Sequence, residues 1–391
     1  MSGMVKIRDV VSRDTGTRNP TRQPDESFEY VDVAAINNES KTIDGARTLL
    51  GADAPSRARR LIQANDVLVS TVRPNLNAVA LVPERLGGQV ASTGFCVLRA
   101  NGQILPQYLY YFTRSRGFVE NLSRLVAGAL YPAVTDGQVL DQEIPMVSPE
   151  KQRDVVDSLA AAESIVRLCT EASEKTAELL PVMFVEMYGD PATNPKGWPF
   201  RQVSDFVEKF EGGKNLLAGS ENGSPFRILK VSAVTSGRYL EEESKPTPDG
   251  YQPPAAHLVR VGDMLFSRAN TEKLVGATAL VESTNGRTLL PDKLWRIVWS
   301  EPAEPAYMHA LFQSRYVRQE LSRISTGTSS SMRNISQGRL FEVSLPVAPY
   351  DEQRMFGERA TAIRSIQTQR AAALEKAQQT FDALMAAAFP Y

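Results

Sequence analysis

The chain contains one long amphipathic stretch twice, and that duplication limits what it can fold into more than any other feature. Pro149-Glu150-Lys151-Gln152-Arg153 opens a run that continues to about Tyr188, and Tyr350-Asp351-Glu352-Gln353-Arg354 opens a second that continues to the last residues. Each run follows a short apolar segment with a proline, Glu143-Ile144-Pro145-Met146-Val147 and Ser344-Leu345-Pro346-Val347-Ala348. In the first, Val155, Leu159, Ala162, Val166, Cys169, Thr176, Leu180 and Met183 step by threes and fours, broken only at Ser173. In the second, Phe356, Ala360, Ile363, Leu374, Ala377, Phe381, Leu384 and Ala388 do the same, with Gln367 and Arg370 interrupting. Such a seam calls for another helix to pack against it. The first run, at 1.5 Å per residue, spans roughly 58 Å, more than a compact domain needs. Pro181 is expected to kink it near its end, because proline removes a backbone donor.

The repeat is wider than the helices. Segment 28–36 aligns with 226–234, and both are expected to be strands. Segment 61–70 aligns with 258–267, with the Asn65-Asp66 and Gly262-Asp263 pairs as turns feeding a strand that ends in serine. Ala78-Val79-Ala80-Leu81-Val82 matches Ala277-Thr278-Ala279-Leu280-Val281, and Pro106 and Pro305 each open a helix, the position proline favours. A period of about 200 residues is far beyond solenoid repeats and signals duplication of a whole module. The expected fold is therefore α+β: two duplicated domains separated by two long antiparallel, coiled-coil-like helices. The expected boundaries are 1–148 and 191–348 for the domains, and 149–190 and 349–391 for the helices.

Several functions are disfavoured by what the sequence lacks. No phosphate-binding GxxxxGK[ST] loop occurs, and Glu211-Gly212-Gly213-Lys214-Asn215 has neither the spacing nor the hydroxyl. Two cysteines, Cys96 and Cys169, and two histidines, His257 and His309, make no convincing metal site. Pro24-Asp25 with Glu39-Ser40-Lys41 satisfies the loose pattern of metal-dependent nucleases, but it sits in loop-like sequence and the second half has only Glu243-Ser244-Lys245. No apolar run approaches a membrane span, and the first eleven residues carry no leader-like apolar stretch, so a cytoplasmic protein is expected. The net charge of −1 means that a nucleic-acid role requires local basic surfaces or basic partners.

Such local surfaces are present. Ser70, Thr71, Arg73, Asn75 and Asn77 follow a strand in the first half, and Ser267, Arg268, Asn270 and Lys273 hold the matching place in the second. Arg333 and Asn334 lie in a Gly/Ser/Thr-rich loop that can act likewise, and Arg57, Arg59 and Arg60 form a small basic cluster. Arginine and asparagine read guanine and adenine edges bidentately, whereas serine, threonine and lysine hold phosphates. The loops diverge more than the strands: Ala129-Leu130-Tyr131-Pro132-Ala133 stands where the other half has Thr328-Ser329-Ser330-Ser331-Met332. One scaffold with two loop sets suggests two related, non-identical ligands.

Ile144-Pro145 with Lys151-Gln152-Arg153, Leu345-Pro346 with Glu352-Gln353-Arg354, and Met187-Tyr188-Gly189-Asp190 closing the first long helix resemble the specificity subunit of Type I restriction–modification enzymes. The resemblance runs over essentially the whole chain; the second copy ends in Phe389-Pro390-Tyr391, without Gly-Asp. It implies two target recognition domains, each reading one half of a split double-stranded DNA sequence. It also implies two spacer helices that dock two methyltransferase subunits, with a restriction or motor subunit as a further partner. S-adenosylmethionine would be bound by the methyltransferase, so the chain itself would need no cofactor and would not be an enzyme. A metal-dependent endonuclease and a protein-interaction scaffold without a DNA role are the alternatives.

Overall fold

The computed structural model describes residues 3–128, 130–329 and 332–390. It divides into two units: residues 1–171 with 372–391, and residues 172–371. In the first unit, Val67–Ser70 is the centre of an antiparallel sheet between Val79–Leu81 and Phe95–Leu98. A four-stranded sheet orders Arg47–Leu50, Ser27–Val31, Val90–Ser92 and Ala58–Leu61. In the second unit, Met264–Ser267 lies between Thr278–Leu280 and Leu294–Trp299, with Val207–Gly212 beyond. The central strands are buried at every position, as the continuous apolar runs demand.

The matching polar residues of the two halves do matching work. Asp66 is 1% exposed; it accepts from the backbone N–H of Gln63 and from Nε and Nη2 of Arg99 at 2.8 and 2.7 Å. Asp263 accepts from the N–H of Arg260 and from Arg296 at 2.6 Å. Each aspartate thus closes the turn ahead of its strand, and an arginine in or just past the neighbouring strand compensates its charge. The expected nine-residue strands at 28–36 and 226–234 are shorter. They end at Val31 and Leu229 and turn into 3-10 helices over Val33–Ala35 and Val231–Val234. In the first, the Asp32 carboxylate caps the N–H of Ala35, a local bond that competes with the strand.

The long helices run over Pro149–Ala177, Leu179–Tyr188 and Tyr350–Ala388. The break at Glu178 reflects Pro181, which has no N–H to give the carbonyl four residues earlier. The seam is inward-facing. In the first unit, Leu159 and Ala162 share a core with Phe381 and Phe389. In the second, Phe184 lies 5.8 Å from the ring of Phe356, and the Tyr188 hydroxyl donates to the Glu352 carbonyl at 2.7 Å. The start of one helix therefore meets the end of the other in one unit, and its end meets the other's start in the second, which makes the pair antiparallel. Gln367 donates to the Thr176 carbonyl at 2.8 Å, whereas Arg370 is exposed. Among the described residues no helix is long and apolar enough to cross a membrane.

The Gln of Lys-Gln-Arg and Glu-Gln-Arg is a buried clamp. Gln152 accepts from the Leu105 N–H at 2.8 Å and donates to the Val147 carbonyl at 3.1 Å. Gln353 accepts from the Glu304 N–H at 3.0 Å and donates to the Ala348 carbonyl at 2.8 Å. Leu105 and Glu304 each cap a helix that opens with proline, Pro106–Arg114 and Pro305–Gln313. The glutamine fixes the start of the long helix to the short helix and to the strand that precedes it.

Candidate functional site

The loops that leave the two central strands are held by the same three backbone bonds. In the first unit, Ser70 N–H donates to Ala78, Thr71 N–H to Gly94, and Val134 N–H to Thr71. In the second, Ser267 N–H donates to Ala277, Arg268 N–H to Lys293, and Ile335 N–H to Arg268. The third bond brings the glycine-containing loop beside the strand exit. Val72 bridges Ala133 in the first unit, and Ala269 and Asn270 pair with Asn334 and Arg333 in the second. The candidates Asn270, Arg333 and Asn334, distant in sequence, thus lie on one small sheet.

The frame is shared, but the side chains differ. In the first unit the loop turns through Pro74–Leu76, with Arg73 and Asn77 both left-handed at φ of 49° and 47°. Arg73 donates its N–H to the Pro132 carbonyl and leaves its guanidinium exposed; Asn75 is exposed too. Asn77 is half-buried and donates to the Thr113 carbonyl at 2.9 Å. In the second unit Lys273 is exposed, and Gly276, at φ +78°, stands where the first has Asn77.

Several expected readers face inward. Ser70, Thr71 and Ser267 are buried, and their hydroxyls donate to the carbonyls of Val72, Gly94 and Ala269. In this structure each of these hydroxyls closes its own turn and shapes the loop. Arg268 donates to the Asp292 carbonyl at 2.9 Å and lies over the Trp295 ring at 5.5 Å. Arg333 donates to Ser325 and Gly327. Asn270 accepts from the Thr271 N–H, and its Nδ2 is buried without a hydrogen-bond partner among the described residues. Asn334 is half-buried in the small sheet.

Other residues at the same end escaped sequence reasoning. Leu130 is 89% exposed and Tyr131 82% exposed, beside the carbonyl that holds Arg73. The signal was there, since two large apolar side chains in a Gly/Pro loop have no strand or helix face to bury on. Ala129, Ser330 and Ser331 of the divergent loops lie outside the described residues. Of the basic cluster, Arg60 pairs with Asp136 and Arg59 with its own loop, whereas Arg57 is exposed and accepts the Thr93 N–H at the turn that also holds Thr71. Asp25 and Glu39 are exposed turn residues, and the Lys41 ammonium goes to the Asn77 carbonyl at 2.7 Å. Among the described residues no three His, Cys, Asp or Glu side chains gather as a metal-ligand set.

No family model matches the chain. It is 27% identical over 188 residues to the Type I restriction enzyme EcoEI specificity subunit of Escherichia coli, covering 47% of this chain and 31% of that protein. It is 24% identical over 274 residues to the EcoKI specificity subunit of Escherichia coli strain K12, covering 66% of this chain and 59% of that protein. A chain from a solved structure, described as the basis of complex assembly and conformational transition of the type I R-M system, superposes with a TM-score of 0.62. It is 28% identical and covers 99% of this chain and 97% of that one.

The chain is similar in sequence and in fold to Type I specificity subunits. The matches to the two curated relatives span less than two thirds of their own length. Within this chain, the residues that repeat between halves are those of the frame: the serine that ends each central strand, the aspartate of each turn and the glutamine of each long helix. The residues that do not repeat are the exposed ones, Arg73, Asn75 and Tyr131 on one side and Lys273 and Met332 on the other.

Proposed function

We propose that this chain is the DNA-recognition component of a Type I restriction–modification assembly. Residues 1–148 read one half of a bipartite double-stranded target and residues 191–348 the other. Helices 149–190 and 349–391 act as spacers and dock two methyltransferase subunits, which carry S-adenosylmethionine; a restriction or motor subunit is a further partner. The chain is not itself an enzyme, and the assembly works in the cytoplasm. The observation that carries this reading is the pair of loops on three matching backbone bonds, with different exposed side chains on each. Arg73 and Asn75 read base edges in one half and Lys273 holds phosphate in the other, a reading supported by their exposure. The remaining candidates, Ser70, Thr71, Asn77, Ser267, Arg268, Asn270, Arg333 and Asn334, shape the loops. The alternatives fare worse: an endonuclease needs Lys41 and the acids around it to converge, and a pure scaffold leaves two divergent loop sets without a use. Methylome sequencing of cells that express this chain with a methyltransferase subunit that assembles with it tests the reading. A bipartite methylated motif is expected; methylation without sequence preference would overturn it.

A further inference from the structure

In each unit a cation without an acidic partner holds one carbonyl of the strand-exit loop. Lys41, half-buried, donates from Nζ to the Asn77 carbonyl at 2.7 Å. Arg318, on the helix Arg315–Ile324, donates from Nη2 to the Lys273 carbonyl at 3.0 Å. Among the described residues neither side chain makes an ion pair, and Arg318 Nη1 is buried with no hydrogen-bond partner. A cation taken from water without a carboxylate is costly, and a carbonyl offsets only part of that cost. The two residues come from different elements, a turn and a helix, yet reach the same kind of atom on corresponding loops.

The first loop needs such a hold. Arg73 and Asn77 bracket Pro74–Leu76 in the left-handed region, where an arginine is strained, and Lys41 is itself left-handed at φ 57°. Asn77 is tied twice, by its side chain to Thr113 and by its carbonyl to Lys41. Lys41 is tied in turn, because the Tyr110 hydroxyl donates to its carbonyl. The second loop gets its bend from Gly276, and Arg318 packs against that glycine.

We infer that Lys41 and Arg318 are positioning residues, each holding one recognition loop in the shape that reads its half-site. This rests on the DNA-recognition reading above. Burial and the neighbouring Arg114 pull the Lys41 ammonium down to about 8, so its charge is present at pH 7 and lost as pH rises towards 9, whereas an arginine keeps its charge throughout. The groups facing Lys41 are Arg114, which Glu163 pairs at 2.7 Å, and Tyr110, whose phenol burial pushes up to about 12. The Tyr110 phenol therefore stays protonated between pH 7 and 9. A neutral amine still donates, but a charge-assisted bond is about twice as strong.

The test uses the full chain assembled with methyltransferase subunits, binding a library of duplexes randomised at each half-site in turn. Lys41→Met is expected to relax discrimination in the first half-site roughly tenfold and leave the second intact; Arg318→Met is expected to do the reverse. In the wild type, discrimination at the first half-site alone should weaken from pH 7 to 9, and Lys41→Arg should abolish that dependence. Thermal melts check that the variants fold. No change at either half-site, an equal loss at both, or a flat pH profile at the first overturns the inference. A wild-type assembly with no sequence preference would instead sink the DNA-recognition reading itself.

Discussion

Replacing Gln152 by leucine should show how much of the first unit hangs on one buried amide. Its side chain is 1% exposed and is the hydrogen-bond partner of the Leu105 N–H at 2.8 Å and of the Val147 carbonyl at 3.1 Å. Leucine has similar volume and fills the space, so little cavity forms. What it leaves are two main-chain groups with their partner removed, each costing about 1–3 kcal/mol. Greater burial of apolar atoms returns about 1 kcal/mol. The net expectation is a loss of about 1–5 kcal/mol in urea unfolding. The loss should be local as well: the Leu105 amide, which caps the helix Pro106–Arg114, should exchange with solvent much faster. Gln152→Glu should be worse, because it keeps an acceptor for Leu105 but puts a buried carboxylate against the Val147 carbonyl. Gln353→Leu should do the same to Glu304 and Ala348 in the other unit. A loss under about 0.5 kcal/mol, or a Leu105 amide still protected in Gln152→Leu, would refute the reasoning.

Three more outcomes are expected. Leu159→Asp, at a position 1% exposed in the core shared with Phe381, should cost more than about 4 kcal/mol through lost burial and a buried charge; a soluble variant with an unchanged urea midpoint would contradict this. Arg73→Ala should weaken discrimination by about 1–3 kcal/mol at one half-site only, in binding to duplex libraries, whereas Arg268→Ala should instead lower stability by about 1–2 kcal/mol, because its side chain is spent on Asp292 and Trp295. His309, which burial pushes down to about 4, is neutral in the fold but takes a proton below about 6.5 when unfolded. Its contribution is thus full above the unfolded value and lost as pH falls towards 4, by at most about 3 kcal/mol; His309→Gln, which keeps a donor for the Thr278 carbonyl, should flatten that part of the stability profile against pH.

The duplication, the helix seam and the break near Pro181 were legible in the sequence because they depend on periodicity and on one missing N–H, both local properties. The turn aspartates and the proline-led helices were legible for the same reason. The work of Gln152 and Gln353 was not, since their partners lie 47 and 49 residues away and only the fold brings them within reach. The candidate site divided along the same line. Residue type marked the strand-exit loops, but type cannot tell an arginine facing solvent, Arg73, from one folded over a tryptophan, Arg268. Ser70, Thr71 and Ser267 carry the same hydroxyl whether they face out or in, and only the fold turned them inward. Lys41 stood in a nuclease-like triplet in the sequence; the tertiary structure set its ammonium on the Asn77 carbonyl. Chemistry at a position is written in the chain, but the direction a side chain faces is set by what packs behind it.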